Sequence, residues 1–150
     1  MKTIMQIATI MAVGAGFFWG GFPTALAFKF HVLTAGLITA AGAETAVLLV
    51  LLLGKPLQAL ILRKFPAWME KTRTGKAGLI VQKYGMPGLG LISPVIPGAP
   101  QAALIGLALS AKPGRIFIWV STGIVLWTGI VTIGLGLGLE IVGALIKNIK

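Results

Sequence analysis

Pro94-Val95-Ile96-Pro97-Gly98-Ala99-Pro100 sets three prolines into seven residues, in the middle of an apolar stretch that runs from Ala77 to Ser110. Proline has no backbone N–H to give a helix, and glycine tolerates backbone angles that other residues avoid. The stretch therefore reads as a hairpin tip between two helical arms, not as one kinked helix. Downstream, Ile116 to Ile146 is apolar with no proline at all. Upstream the same order recurs. Thr3 to Phe28 is broken by Gly14, Gly16, Gly20, Gly21 and Pro23, and Val32 to Leu53 follows unbroken. About 20 apolar helical residues cross a hydrocarbon core of about 30 Å, and both unbroken stretches meet that requirement.

The broken elements match at their breaks, Gly21-Phe22-Pro23-Thr24-Ala25 against Gly98-Ala99-Pro100-Gln101-Ala102. Each leads through a basic junction, Lys29 or Lys112 and Arg115, into the unbroken span. The expected fold is an all-α integral membrane protein with two inverted repeats. Each repeat is a Gly/Pro-broken, re-entrant helix followed by a transmembrane helix. Residues 1–150 form a single membrane domain, with halves at 1–54 and 84–150 and a basic linker at 55–83. Whether the broken stretches span or re-enter stays open, because either arrangement puts the Lys55–Lys83 cluster on the cytoplasmic side by the positive-inside rule.

Composition agrees. Thirteen Lys and Arg against three acids give a net charge of +10, yet the chain is 57% hydrophobic and only 11% charged, too little polar surface for a soluble globular enzyme. There is no cysteine, which removes a disulfide scaffold, and one His with three scattered Glu offers no metal-ligand set. The reading is of a non-enzyme without cofactor or metal, and without a nucleic-acid partner. The basic excess collects in the linker as Lys55, Arg63, Lys64, Lys71, Arg73, Lys76 and Lys83. There Leu57, Leu60, Ile61, Phe65 and Trp68 recur near the helical period. That predicts an amphipathic helix in the membrane interface, ended or kinked at Pro66, with anionic lipid headgroups as partners. Lys2 and the apolar run up to Ala12-Val13-Gly14 have the outline of a signal peptide. The run continues apolar well past that site, so it is read as structure.

Three groups of polar residues stand out. Glu44 is the one ionisable side chain inside an unbroken span, where a carboxylate costs roughly 2.5–3.5 kcal/mol. It is either a protonatable or cation-binding group facing a cavity, or a structural Glu paired with a loop Lys or Arg. Ser121, Thr128 and Thr132 share one side of the last helix and could line a polar path, or bond to their own backbone. Gly16-x-x-x-Gly20 and Gly134-x-x-x-Gly138 permit close helix packing, and a homo-oligomer through the Gly-rich helices is a further candidate. His31 at a membrane boundary reads as structural. Glu140 reads as interfacial.

The chain resembles the DedA/VTT superfamily, in its branch of small multidrug export proteins. The resemblance lies in Gly20 to Ala27, in Lys83-Tyr84-Gly85-Met86-Pro87-Gly88-Leu89, in Pro94 to Gly98 and in the Gly-rich last helix. It implies two re-entrant helices meeting inside a bundle, and transport as the activity. The tips here lack the acid and the arginines common in that superfamily, so a proton-coupled mechanism built on those groups does not carry over. The expected function is a small transporter in a prokaryotic inner (plasma) membrane. It would move an amphiphilic or anionic substrate by alternating access. Pro23, Thr24, Ser93, Pro97, Gly98, Pro100 and Gln101 would line the site, and Glu44 would be a coupling or counter-charge residue. The alternative is a non-transporting scaffold or accessory subunit.

Overall fold

The computed structural model describes residues 2–64, 67, 70–71, 74–95 and 98–149. Phe65, Pro66, Trp68 and Pro97 lie outside the described residues, as do the side chains of Leu57, Ile61 and Glu140. The helices are α1 (Lys2–Gly16), α2 (Phe18–Ala27), α3 (Val32–Leu52), α4 (Gly54–Lys64), α5 (Lys76–Ile92), α6 (Ala99–Ala108) and α7 (Pro113–Ile149). The unbroken apolar stretches become α3 and α7, and two segments, Val32–Leu52 and Pro113–Gly138, are long and apolar enough to cross a membrane. Both carry large apolar side chains on their exposed faces, Leu33, Leu37 and Leu52 on α3 and Val125, Ile130 and Ile133 on α7. Such faces suit hydrocarbon, not water.

Each broken stretch becomes a longer helix followed by a ten-residue one, and the two short helices end alike. Beyond α2, Lys29 adopts φ 64°, and the N–H groups of Lys29 and Phe30 donate to the carbonyls of Leu26 and Ala25. Beyond α6, Ser110 adopts φ 60°, and Ser110 and Ala111 donate to Leu107 and Gly106. This is the same left-handed cap, which satisfies the last carbonyls of a helix and turns the chain out of it.

An offset of 81 residues carries residue 18 to 99, 27 to 108, 29 to 110 and 32 to 113. The same offset relates the buried faces of the long helices. Ala35, Thr39 and Ala43 on α3 correspond to Ile116, Val120 and Ile124 on α7, all fully buried. Gly42 and Gly123 correspond as well. A side chain at Gly42 would strike the Met11 carbonyl of α1, and one at Gly123 would strike the Gly90 carbonyl of α5. Each long helix thus rests on the backbone of the first helix of its own half.

At this offset Pro23 falls opposite Leu104, four residues from its sequence match at Pro100, about one helical turn. The first break falls at Phe17 (φ −143°, ψ 97°), and Pro23 is the sixth residue of α2, not its start. Pro100 does sit in the first turn of α6, where no N–H is required. The glycine spacings divide. Within the single chain Gly16, Gly134 and Gly138 face open space, Gly20 lies close to Val13 of α1, and other close approaches occur at Gly14, Gly21, Gly36, Gly42, Gly90, Gly106 and Gly123. Spacing within one stretch does not reveal which glycine meets a helix from elsewhere in the chain.

A break does fall in the proline-rich stretch, between Ile92 and Ala99. Gly85 (φ 67°) kinks α5 just before Pro87, and the chain leaves α5 at Ser93 and re-enters helix at Gly98 (φ 122°), an angle that only glycine adopts without strain. In the linker, α4 continues directly from α3 with Pro56 in its first turn. His31 caps α3, its Nδ1 accepting from the Leu33 N–H at 3.4 Å, which is the structural role expected of it.

Candidate functional site

The break between α5 and α6 leaves backbone carbonyls without helical partners. Two tryptophans supply the missing donors. The Trp19 indole Nε1, from the first turn of α2, donates to the Pro94 carbonyl at 2.9 Å. The Trp127 Nε1, from α7, donates to the Leu91 carbonyl at 2.8 Å. The two indoles meet edge to face, with ring centroids 5.9 Å apart. The end of α5 and the turn after it are therefore held from both halves of the chain, and the start of α2 lies against the second tip. Sequence reasoning missed both tryptophans. The available signal was an indole N–H within an apolar, Gly-rich run, which must find an acceptor inside the protein.

At the second tip the Ser93 hydroxyl donates to the Gly90 carbonyl at 2.7 Å, and the Gly98 N–H donates to the Ser93 carbonyl at 2.7 Å. Gln101 folds back over Gly98, its Oε1 buried without a hydrogen-bond partner. Ser93, Gly98, Pro100 and Gln101 thus stand together at the start of α6, while Pro97 lies outside the described residues. Pro23 and Thr24 are further along α2. Pro23 is exposed, and the Thr24 hydroxyl is taken by the Gly20 carbonyl of its own helix at 2.7 Å.

Glu44 finds a neutral partner rather than a basic one. The Ser121 hydroxyl of α7 donates to Glu44 Oε2 at 2.8 Å, joining two residues that the sequence singled out separately. Further along the same pair of helices, Gly36 of α3 lies against the Thr128 and Thr132 side chains. Glu44 opposite Ser121, with Gly36 opposite Thr128 and Thr132, means that α3 and α7 run antiparallel.

Eight of the threonines fall into two sets. Thr9, Thr24, Thr45, Thr74 and Thr122 each donate to the carbonyl four residues back. The hydroxyls of Thr39, Thr128 and Thr132 are buried and have no partner.

A family model described as "Putative small multi-drug export protein" matches residues 18–130, about three quarters of the chain. The chain belongs to this family. No curated protein and no solved structure matches it. The match to the export family begins at the first residue of α2 and ends within α7. It therefore includes Trp19, Glu44, the second tip, Ser121, Trp127 and Thr128, and leaves out α1. Membership of an export family, together with two apolar helices of spanning length, makes this an all-helical membrane protein.

Thr39 offers a test of how dry this family member's interior is. Its side chain presses on Gly21 and Gly14, and its hydroxyl bonds to nothing. Thr39→Val keeps the shape and removes a desolvated polar atom. Thermal unfolding in detergent should show stability unchanged or raised by up to ~1 kcal/mol. A loss greater than that would reveal a hydrogen bond at this hydroxyl.

Proposed function

We propose that the protein is a small membrane transporter, in which two inverted repeats bring a pair of re-entrant tips together around an amphiphilic substrate that moves by alternating access. The observation that carries this reading is the Trp19–Pro94 hydrogen bond, which joins the start of one short helix to the tip that precedes the other. Helix lengths support it. Ten residues rise about 15 Å, half of a hydrocarbon core, so α2 and α6 suit half-crossings. The matching caps and the offset of 81 residues support a repeat, and the antiparallel run of α3 and α7 is what inversion requires. Broken helices around a mid-membrane site, with N-terminal N–H groups aimed at the substrate, are a recurring transporter design.

On this reading Ser93, Pro97, Gly98, Pro100 and Gln101 form one wall of the site, and Pro23 and Thr24 belong to the facing element. The Lys55–Lys83 segment lies on the cytoplasmic face of a prokaryotic inner membrane, against anionic headgroups. The wider DedA/VTT placement belongs to the same reading.

Flux from liposomes containing the purified protein tests it. A fluorescent cationic dye and a short-chain fluorescent phospholipid serve as cargo. At least one should leave faster than from protein-free liposomes, and Gln101→Ala should slow that flux about tenfold, the equivalent of 1.4 kcal/mol. Equal leakage with and without protein would favour the scaffold alternative.

A further inference from the structure

The seam between α3 and α7 brings polar side chains of both helices together, and its polarity has a sign. Glu44 sits 12 residues past the start of α3 and 8 before its end, about 18 Å and 12 Å along the helix, well inside the span. A carboxylate at that depth requires a partner. Ser121 supplies one hydrogen bond to Oε2, and no other hydrogen bond or ion pair reaches Glu44 among the described residues.

The rest of the seam adds oxygens and no positive charge. Ala40 and Gly36 follow Glu44 at four-residue intervals along α3, and Thr128 and Thr132 follow Ser121 along the facing side of α7. The hydroxyls of Thr128 and Thr132 remain unpartnered. Other threonines of this chain satisfy theirs on their own helix. No Lys or Arg occurs in α3, and α7 has none between Arg115 and Lys147.

The seam is also open to lipid. Glu44 is only half-buried. Leu37 and Leu48 flank it on α3, and Ile118 and Val125 flank Ser121 on α7, all four exposed. A molecule lying there would meet apolar walls on its outer side and the Glu44 carboxyl group on its inner side, while the Thr128 and Thr132 hydroxyls stay buried beneath Gly36.

We infer that the α3–α7 seam around Glu44 is a membrane-accessible subsite for the cationic head of an amphiphile, with the Glu44 carboxylate as its counter-charge and Ser121 as the residue that orients that carboxylate. The inference rests on the transport reading and names its substrate class. It selects cationic over anionic cargo, because an anionic head would face Glu44 with no neutralising side chain in the seam.

Two probes of nearly the same shape and opposite charge test this, tetraphenylphosphonium and tetraphenylborate. Their equilibrium binding is measured on the full chain in phosphatidylcholine nanodiscs, with empty nanodiscs as background. Wild type should bind the phosphonium above background and the borate not at all. Glu44→Gln should weaken phosphonium binding at least tenfold. Glu44→Asp should retain part of it, because the charge remains. Ser121→Ala should weaken it by a smaller factor than Glu44→Gln. The melting temperature of each variant shows that it is folded. Wild-type preference for the borate, absence of phosphonium binding, or a folded Glu44→Gln variant that binds as wild type does overturns the inference. Because binding is read without flux, the two readings fail separately. Phosphonium binding without flux of any cargo keeps the subsite and removes transport. Flux of the phospholipid without phosphonium binding does the reverse.

Discussion

Gly123→Leu yields no stable folded protein. A side chain at this position meets the Gly90 carbonyl and the Leu91 backbone of α5, and backbone atoms cannot swing aside as a side chain does. Overpacking against side chains that can yield costs about 1–3 kcal/mol. Here α5 must move as a body, so the cost lies above that range, against a total stability of roughly 5–15 kcal/mol. Gly42→Leu acts in the same way through the Met11 backbone of α1. The controls lie on α7 itself, because Gly129 and Gly134 face open space. Leucine at either should change stability by no more than about 0.5 kcal/mol. Size-exclusion profiles and thermal unfolding in detergent read the contrast. Equal tolerance at Gly123 and Gly129 would mean that α7 does not rest on α5 as described.

The second large effect belongs to the tryptophan pair. Trp19→Phe keeps an aromatic ring but removes the N–H that satisfies the Pro94 carbonyl. An unsatisfied carbonyl in the interior costs about 1–3 kcal/mol. Trp127→Phe should cost a similar amount through Leu91. Trp19→Ala also empties the space beside Phe18 and Trp127, and should cost about 3–5 kcal/mol. The indoles touch, so the two Phe substitutions should not add. A double-mutant cycle on unfolding free energies should return a coupling of about 0.5–1.5 kcal/mol. Full wild-type stability in Trp19→Phe would remove the bond between the tips, and with it the main support for a shared site.

The fold was legible where chemistry acts over a long run. Val32 to Leu53 and Ile116 to Ile146 are apolar without interruption, and no structure other than a long helix suits them. The break at Pro94–Pro100 was legible because three prolines and a glycine leave no continuous ladder of hydrogen bonds. Pro23 misled because one proline is tolerable inside a short helix at the cost of a single bond, so it marks no boundary by itself. Glu44 and Ser121 each stood out as polar residues on apolar helices. Their pairing did not, since it depends on how α3 and α7 lie against each other. The same limit hid Gly42 and Gly123, whose significance lies wholly in the facing backbone. Trp19 and Trp127 were hidden differently, because an indole reads as apolar bulk until its acceptor is known.

The lengths of α3 and α7 differ in a way that involves the surrounding bilayer. The 21 residues of α3 measure about 31 Å and match a typical core, whereas the 37 residues of α7 measure about 56 Å, so α7 leans, bends or extends beyond the core. If both helices span, the angle between them responds to bilayer thickness. A thin membrane tips α7 further from α3, and a thick one draws it upright. On the spanning reading, the spacing between Gly36 and Thr132 at one end of this pair, and between Glu44 and Ser121 at the other, would follow the thickness of the host bilayer, which would then act as a mechanical load on the protein.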